Sequence, residues 1–261
     1  MKLHLSSVLL AAVAGTAFAA GPAPATTTLT GTVRDFIPGA LVPGSSNPDF
    51  ESGIGGVVTG MVAGTLAGNA PTPLAFGAPG YISSAASFAE WFGSAAPSKA
   101  HAITLTETTP GSGIYSYSSN SFFPIDGELL GNQGRAHNYH FTYQIAATFG
   151  YQPGTGQSFT FTGDDDVWVF FDKQLGIDLG GVHGATSRTV DLDTLFGPGK
   201  AAGNYAFDFF FAERHTTESN LGIQTSLQLV PNAQVPEPAT YALMALGLAG
   251  VGAFSRRRKP A

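Results

Sequence analysis

The densest concentration of chemistry-bearing side chains is Gly163-Asp164-Asp165-Asp166, set between Phe159–Phe161 and the apolar run Val167–Phe171. Three adjacent carboxylates repel one another and ask for a counter-charge. The nearest base in sequence, Lys173, lies beyond that whole run. A hard cation with oxygen ligands answers the need. Calcium takes about six to eight oxygens and suits a loop of Asp, carbonyl and water. The alternative is a solvated acidic hairpin turn, because Asp is a common turn residue.

Two further segments combine polar residues with turn formers. Ile177-Asp178-Leu179-Gly180-Gly181-Val182-His183-Gly184 has the form of a hairpin with a polar tip. Glu213-Arg214-His215-Thr216-Thr217-Glu218-Ser219-Asn220 separates two strongly alternating runs. Loops of an antiparallel sheet that gather at one end can build a site. In the plain alternative, Glu213 and Arg214 simply pair with neighbours. A hydrolase reading would use Asp164 and Asp166, which point the same way on an extended chain at the ~5–9 Å that glycosidase pairs need. Nothing in the sequence raises the pKa of either one. H-E-x-x-H, G-x-S-x-G and phosphate-loop patterns are missing as well. No catalytic residue is assigned, and the protein is read as a non-enzyme, with a glycoside hydrolase as a minor alternative.

The elements that must position these loops are strands. Tyr139, Phe141, Tyr143, Ile145, Ala147 and Phe149 share one parity, while His140, Thr142, Gln144 and Thr148 share the other. That alternation marks a half-buried strand over 138–151. Phe159 and Phe161 repeat it, as do Tyr205, Phe207, Phe209 and Phe211, and then Leu221, Ile223, Leu227 and Leu229. Val167–Phe171 reads as a strand covered on both faces. Thr26–Phe36 is extended in character. From Ile37 to Pro97 the chain is rich in Gly, Pro and Ala and poorly periodic, with one short helix predicted at Ser87–Phe92. The fold class is all-β, an antiparallel β-sandwich with an irregular N-terminal layer and a C-terminal hydrophobic helix.

Composition agrees. Of 261 residues, 43% are apolar and 11% aromatic, enough for one large core. Only 11% are charged, less than half the usual ~25%. Five of the twelve basic residues sit at the two ends, leaving seven against eighteen acidic residues, a net −11, in between. Such a body repels nucleic acid, whose binding rests on Lys and Arg. Without cysteine there is no disulfide framework or thiolate metal site.

Both ends read as addresses. Lys2, the apolar Val8–Ala14 and Ala17-Phe18-Ala19 form a signal peptide over residues 1–19, with cleavage before Ala20. Residues 20–30 are a leader, 31–230 the body, and 231–238 a linker containing Pro236, Glu237 and Pro238. A hydrophobic transmembrane helix follows at 239–255, then a basic cytoplasmic tail at 256–261. The order Pro-Glu-Pro, apolar helix, basic tail resembles the PEP-CTERM sorting signal of Gram-negative bacteria. That resemblance implies recognition by an exosortase and transient anchoring in the inner membrane. It also implies processing near Pro236-Glu237-Pro238 and delivery to the cell surface or extracellular matrix.

The body carries a second resemblance. Gly163–Phe170, Asp178–His183 and Phe210–Asn220 resemble motifs of the fibro-slime domain, as do Gly31–Phe36, Asn47–Glu51 and Phe122–Gly127. That domain is similar to the PA14 family of β-sandwiches. In PA14-type lectins a cis-linked Asp-Asp pair binds calcium, and the calcium binds sugar hydroxyls. The resemblance therefore implies Ca2+ as cofactor, with Asp164, Asp165 and Asn220 as metal ligands. Asp166, His183 and His215, on the same three loops, are the candidates to contact the ligand. Asp166 stands where PA14 domains usually have Gly. The implied partner is a polysaccharide or exopolysaccharide matrix. A purely structural matrix component is the alternative.

Overall fold

The computed structural model describes residues 23–53, 55–77 and 82–231. The signal peptide, Pro236-Glu237-Pro238, the apolar helix and the basic tail expected from the sequence lie outside the described residues.

Thirteen strands and two short helices follow in order: β1 (Thr26–Asp35), β2 (Ile37–Pro38), β3 (Ser46–Asn47), α1 (Ala85–Trp91), β4 (Ser98–Glu107), β5 (Tyr115–Ser119), β6 (Phe141–Tyr151), β7 (Ser158–Gly163), β8 (Asp166–Phe171), β9 (Gln174–Leu179), β10 (Thr186–Asp191), α2 (Leu192–Phe196), β11 (Gly203–Glu213), β12 (Leu221–Thr225) and β13 (Leu229–Pro231). Apart from β2 and β3, the strands form one antiparallel sheet in the order β10-β7-β12-β5-β4-β1-β6-β11-β8-β9, with β13 also paired to β6. The end strands β9 and β10 come into contact, so the sheet wraps almost into a barrel. The expected all-β antiparallel architecture is what the chain adopts.

Side-chain parity divides the sheet into two faces. The inner set of β6, β7, β8 and β11 includes Phe141, Tyr143, Phe149, Phe159, Phe161, Val167, Phe171, Phe207, Phe209 and Phe211, which meet in one core. Burying each such side chain contributes roughly 1.5–3 kcal/mol. The opposite face of β8 and β11 is also buried. Trp168, Phe170, Phe210 and Ala212 pack there against Phe36, Phe50, Met61, Phe88 and Trp91. The described residues of the layer from 37 to 97, whose role the sequence left open, therefore cover this outer face.

α1 starts two residues before the predicted Ser87. Ser84 is its N-cap: the Ser84 hydroxyl accepts from the Ser87 amide and the Ser87 hydroxyl accepts from the Ser84 amide. Phe88, Trp91 and Phe92 then fall on one helical face and reach the second core.

Two local expectations change. The hairpin anticipated at 177–184 lies earlier, between β8 and β9, and turns at Asp172-Lys173, both at positive φ. The run from Leu221 to Leu229 is two strands, broken after Thr225, whose hydroxyl donates to the Ser158 carbonyl and accepts from the Leu227 amide.

Candidate functional site

β7 and β8 follow one another but do not pair. β7 lies between β10 and β12, whereas β8 lies between β9 and β11. Asp164 and Asp165 thus cross from one wall of the sheet to the other instead of capping a hairpin. The peptide bond between them is cis. None of the three aspartates is solvated: Asp164 and Asp165 are 4% exposed and Asp166 is 0%.

The predicted gathering of loops is what the structure has, and the aspartates are the hub. Asp164 accepts from the Asn220 amide through Oδ1 at 2.6 Å and from Asn220 Nδ2 through Oδ2 at 2.8 Å. Asp165 accepts from the His183 amide at 3.1 Å and the Arg214 amide at 3.0 Å. Asp166 accepts from the Gly181 amide at 2.6 Å and pairs with Arg214 Nε at 2.5 Å. Gly163 allows the approach of the third loop, since a Cβ there would lie 2.2 Å from the Asn220 carbonyl oxygen.

Parity then sorts the charges. Asp166 shares the outer face of β8 with Trp168, and Arg214 follows β11 to meet it under the N-terminal layer. There the guanidinium sits 4.9 Å over the Trp91 ring, and its Nη1 donates to the Asp49 carbonyl. Arg214, 48 residues away along the chain, supplies a counter-charge to the acidic run. Asp166 is fully buried in that pair, away from the residues that line the cavity. Of the alternative pairings, Arg214 has its neighbour. Glu213 points the other way, with the inner set of β11, and is 1% exposed with no hydrogen-bond partner for its buried Oε2.

Asp164, Asp165, His183, His215 and Thr216 line a cavity of about 250 Å³. Both histidines are oriented by a backbone carbonyl: His183 Nδ1 lies 2.9 Å from the Gly184 oxygen, and His215 Nδ1 lies 2.9 Å from the Thr216 oxygen. With that nitrogen donating, the His183 ring presents Nε2 as an acceptor, buried and without a partner. A neighbouring cavity of about 690 Å³ shares Thr217 and Glu218 with the first and is lined also by Asn220.

Burial pushes the Asp165 carboxyl up to about 6, against the partial relief of Arg214. Burial also raises Asp164. Glu213 rises well above the usual carboxylate range, first through burial and then through the charges of Asp165 and Asp164. Around the three loops, one buried guanidinium, Arg214, is therefore set against four buried carboxylates: Asp164, Asp165, Asp166 and Glu213. Protons or a cation must make up the balance. The donors are oxygens, as a hard cation requires. As placed, however, Asn220 faces Asp164 with its amide nitrogen. Among the described residues, no three His, Cys, Asp or Glu side chains are grouped to hold a metal ion by themselves.

A contact set that the sequence did not suggest lies beside the cavity. Glu51 accepts from Thr216 Oγ1 at 2.7 Å and pairs with His140 Nε2 at 2.7 Å, and its amide donates to the Arg214 carbonyl. The N-terminal layer is thereby tied to the third loop.

Residues 234–259 match the PEP-CTERM protein-sorting motif. The chain thus carries a signal for export, surface sorting in bacteria and processing by an exosortase. The chain is similar to proteins of Dictyostelium discoideum. It is 40% identical to protein psiQ over 204 residues, covering 71% of this chain and 20% of that protein. It is 42% identical to protein psiC over 207 residues, covering 70% and 39%. With protein psiE it is 34% identical over 253 residues, covering 86% and 48%. The chain spans between a fifth and about half of the length of these relatives. Among solved structures, a GH31 α-xylosidase from Xanthomonas citri aligns at a TM-score of 0.23 with 8% identity, over 49% of this chain and 14% of that one.

Proposed function

We propose that this is a surface or matrix protein of a Gram-negative bacterium whose body binds calcium at Asp164 and Asp165 and, with it, the hydroxyls of a carbohydrate. The observation that carries this reading is the pair of buried carboxylates Asp164 and Asp165 lining a cavity, with Asp166 and Glu213 buried behind them and one buried guanidinium, Arg214, among the four. The resemblance to fibro-slime and PA14-type domains supports the same residues.

Asp164 and Asp165 would hold the ion with main-chain oxygens, and Asn220 would join them once its amide turns its oxygen inward. A bound calcium ion would supply positive charge and open coordination positions to sugar hydroxyls. His183 and His215 would border those hydroxyls from the cavity wall. Equilibrium dialysis of the full chain against radioactive calcium tests the proposal. Saturable uptake that excess magnesium does not displace supports it, and no uptake ends it.

A second reading has its own observation. Each oxygen of Asp164 and Asp165 already accepts a hydrogen bond from the protein. On that reading the aspartates only bind three loops together, Glu213 holds a proton, and the protein is a structural component of the matrix. The dialysis separates the two.

A further inference from the structure

The outer face of the wall opposite the N-terminal layer has a composition unlike the rest of the molecule. Strand register aligns Thr189, Thr160, Gln224, Ser116, Thr106 and Thr26 in one row across six neighbouring strands. A second row, one pleat along, runs Ser187, Thr162, Gly222 and Ser118. A third pair, Thr28 and Thr104, continues the pattern on β1 and β4. The sequence writes it as Thr-x-Thr or Ser-x-Ser on one strand after another.

Neighbouring groups are roughly 4.8 Å apart across strands and about 6.7 Å apart along each strand. No side chain in these rows carries a charge, although the chain has eighteen acidic residues. The hydroxyls are laterally coupled: Thr28 to Thr104 at 2.9 Å, Thr160 to Thr189 at 2.8 Å, and Thr162 to Ser187 at 2.9 Å. Each retains capacity for a further bond, and the coupling fixes its direction in advance. Gly222 interrupts the second row and leaves a groove of about 270 Å³ between Ser118 and Thr162. A Cβ at Gly222 would lie 3.1 Å from the Thr162 carbonyl oxygen.

We infer that this face is a second binding surface, for an uncharged polysaccharide chain seated in the Gly222 groove. The chemistry selects that partner. Hydroxyls and threonine methyls alternate on the face as hydroxyls and C–H groups do on a sugar. Nucleic acid would find no cation in these rows. A protein partner would find no aromatic or arginine anchor in them either, and the one aromatic that lines the groove, Tyr117, is half-buried. The surface works without calcium and does not depend on the Asp164 reading.

The test is co-sedimentation of the full chain with three insoluble neutral polysaccharides (cellulose, curdlan and mannan), each with and without chelator. Retention on at least one, unchanged by chelator, is the expected result. Thr160→Val with Thr162→Val, which keeps strand propensity and removes hydroxyls, lowers retention at least five-fold. Thr162→Asp with Ser118→Asp, at two exposed positions beside the groove, lowers it at least ten-fold. Retention on none of the three overturns the inference, as does retention that survives both variants. Loss with chelator alone returns binding to the Asp164 cavity and also overturns it. So does self-association that the same variants abolish without polysaccharide retention, which would give the face to a second copy.

Discussion

The carboxylate of Asp166 lies 2.5 Å from Arg214 Nε, and neither side chain reaches solvent. This pair links the start of β8 to the end of β11. Through the Asp49 carbonyl and the Trp91 ring it also links both to the N-terminal layer. Removing one partner of a buried pair costs far more than the pair contributes net. Asp166→Ala is therefore expected to lower stability by about 3–5 kcal/mol in urea unfolding. Asp166→Leu with Arg214→Met, which removes both charges, is expected to cost less than Asp166→Ala alone.

Asp35 gives stability a pH dependence of defined sign. It is fully buried and accepts from Asn138 Nδ2 and the Leu130 amide, yet burial holds its carboxyl up at about 6. The folded state thus binds this proton more tightly than the unfolded state, whose value is near 3.8. The contribution of Asp35 is fully present below the unfolded value and is lost as pH rises through about 6. Urea midpoints measured across that window should fall with rising pH. Asp35→Asn should flatten its share of the slope while lowering stability throughout, because one acceptor becomes a donor.

Trp91 is the keystone of the cover. It is fully buried, donates to Asp49 Oδ2 at 3.0 Å and touches Phe50, Phe88 and Trp168. Trp91→Ala should cost about 3–5 kcal/mol. Limited proteolysis should then cut within residues 37–97 before it cuts the sheet. Simultaneous digestion of both would show that the layer and the sheet unfold as one unit.

Deleting residues 236–261 should redirect the protein in the cell and leave the thermal midpoint of the body unchanged. Cell fractionation and thermal unfolding of the truncated chain check the two halves separately.

What was legible in the sequence is the inner face. Phe141 to Phe149 and Phe207 to Phe211 alternate because one side of their strands meets the core. The outer face was not legible from the same alternation. His140, just before β6, and Thr142 share the polar parity of that strand yet are buried, because the N-terminal layer covers them, and periodicity along one strand carries no trace of what packs over it. The meeting of the three loops followed from their placement between strands. The partner of Asp166 did not, because Arg214 is near in space through the β8–β11 pairing and far in sequence. Glu213 could have been found from parity alone, since it continues the inward series Phe207, Phe209, Phe211.

The most direct test of the central claim is thermal unfolding of the full chain with calcium titrated in and magnesium and chelator as controls. A ligand that binds only the folded state stabilises it by about 2.7 kcal/mol at a hundred times its Kd. The expected result is a saturable rise in midpoint with calcium but not magnesium, abolished by Asp164→Ala with Asp165→Ala. A midpoint indifferent to calcium, or a rise that persists in the double variant, would contradict the assignment of calcium to these residues.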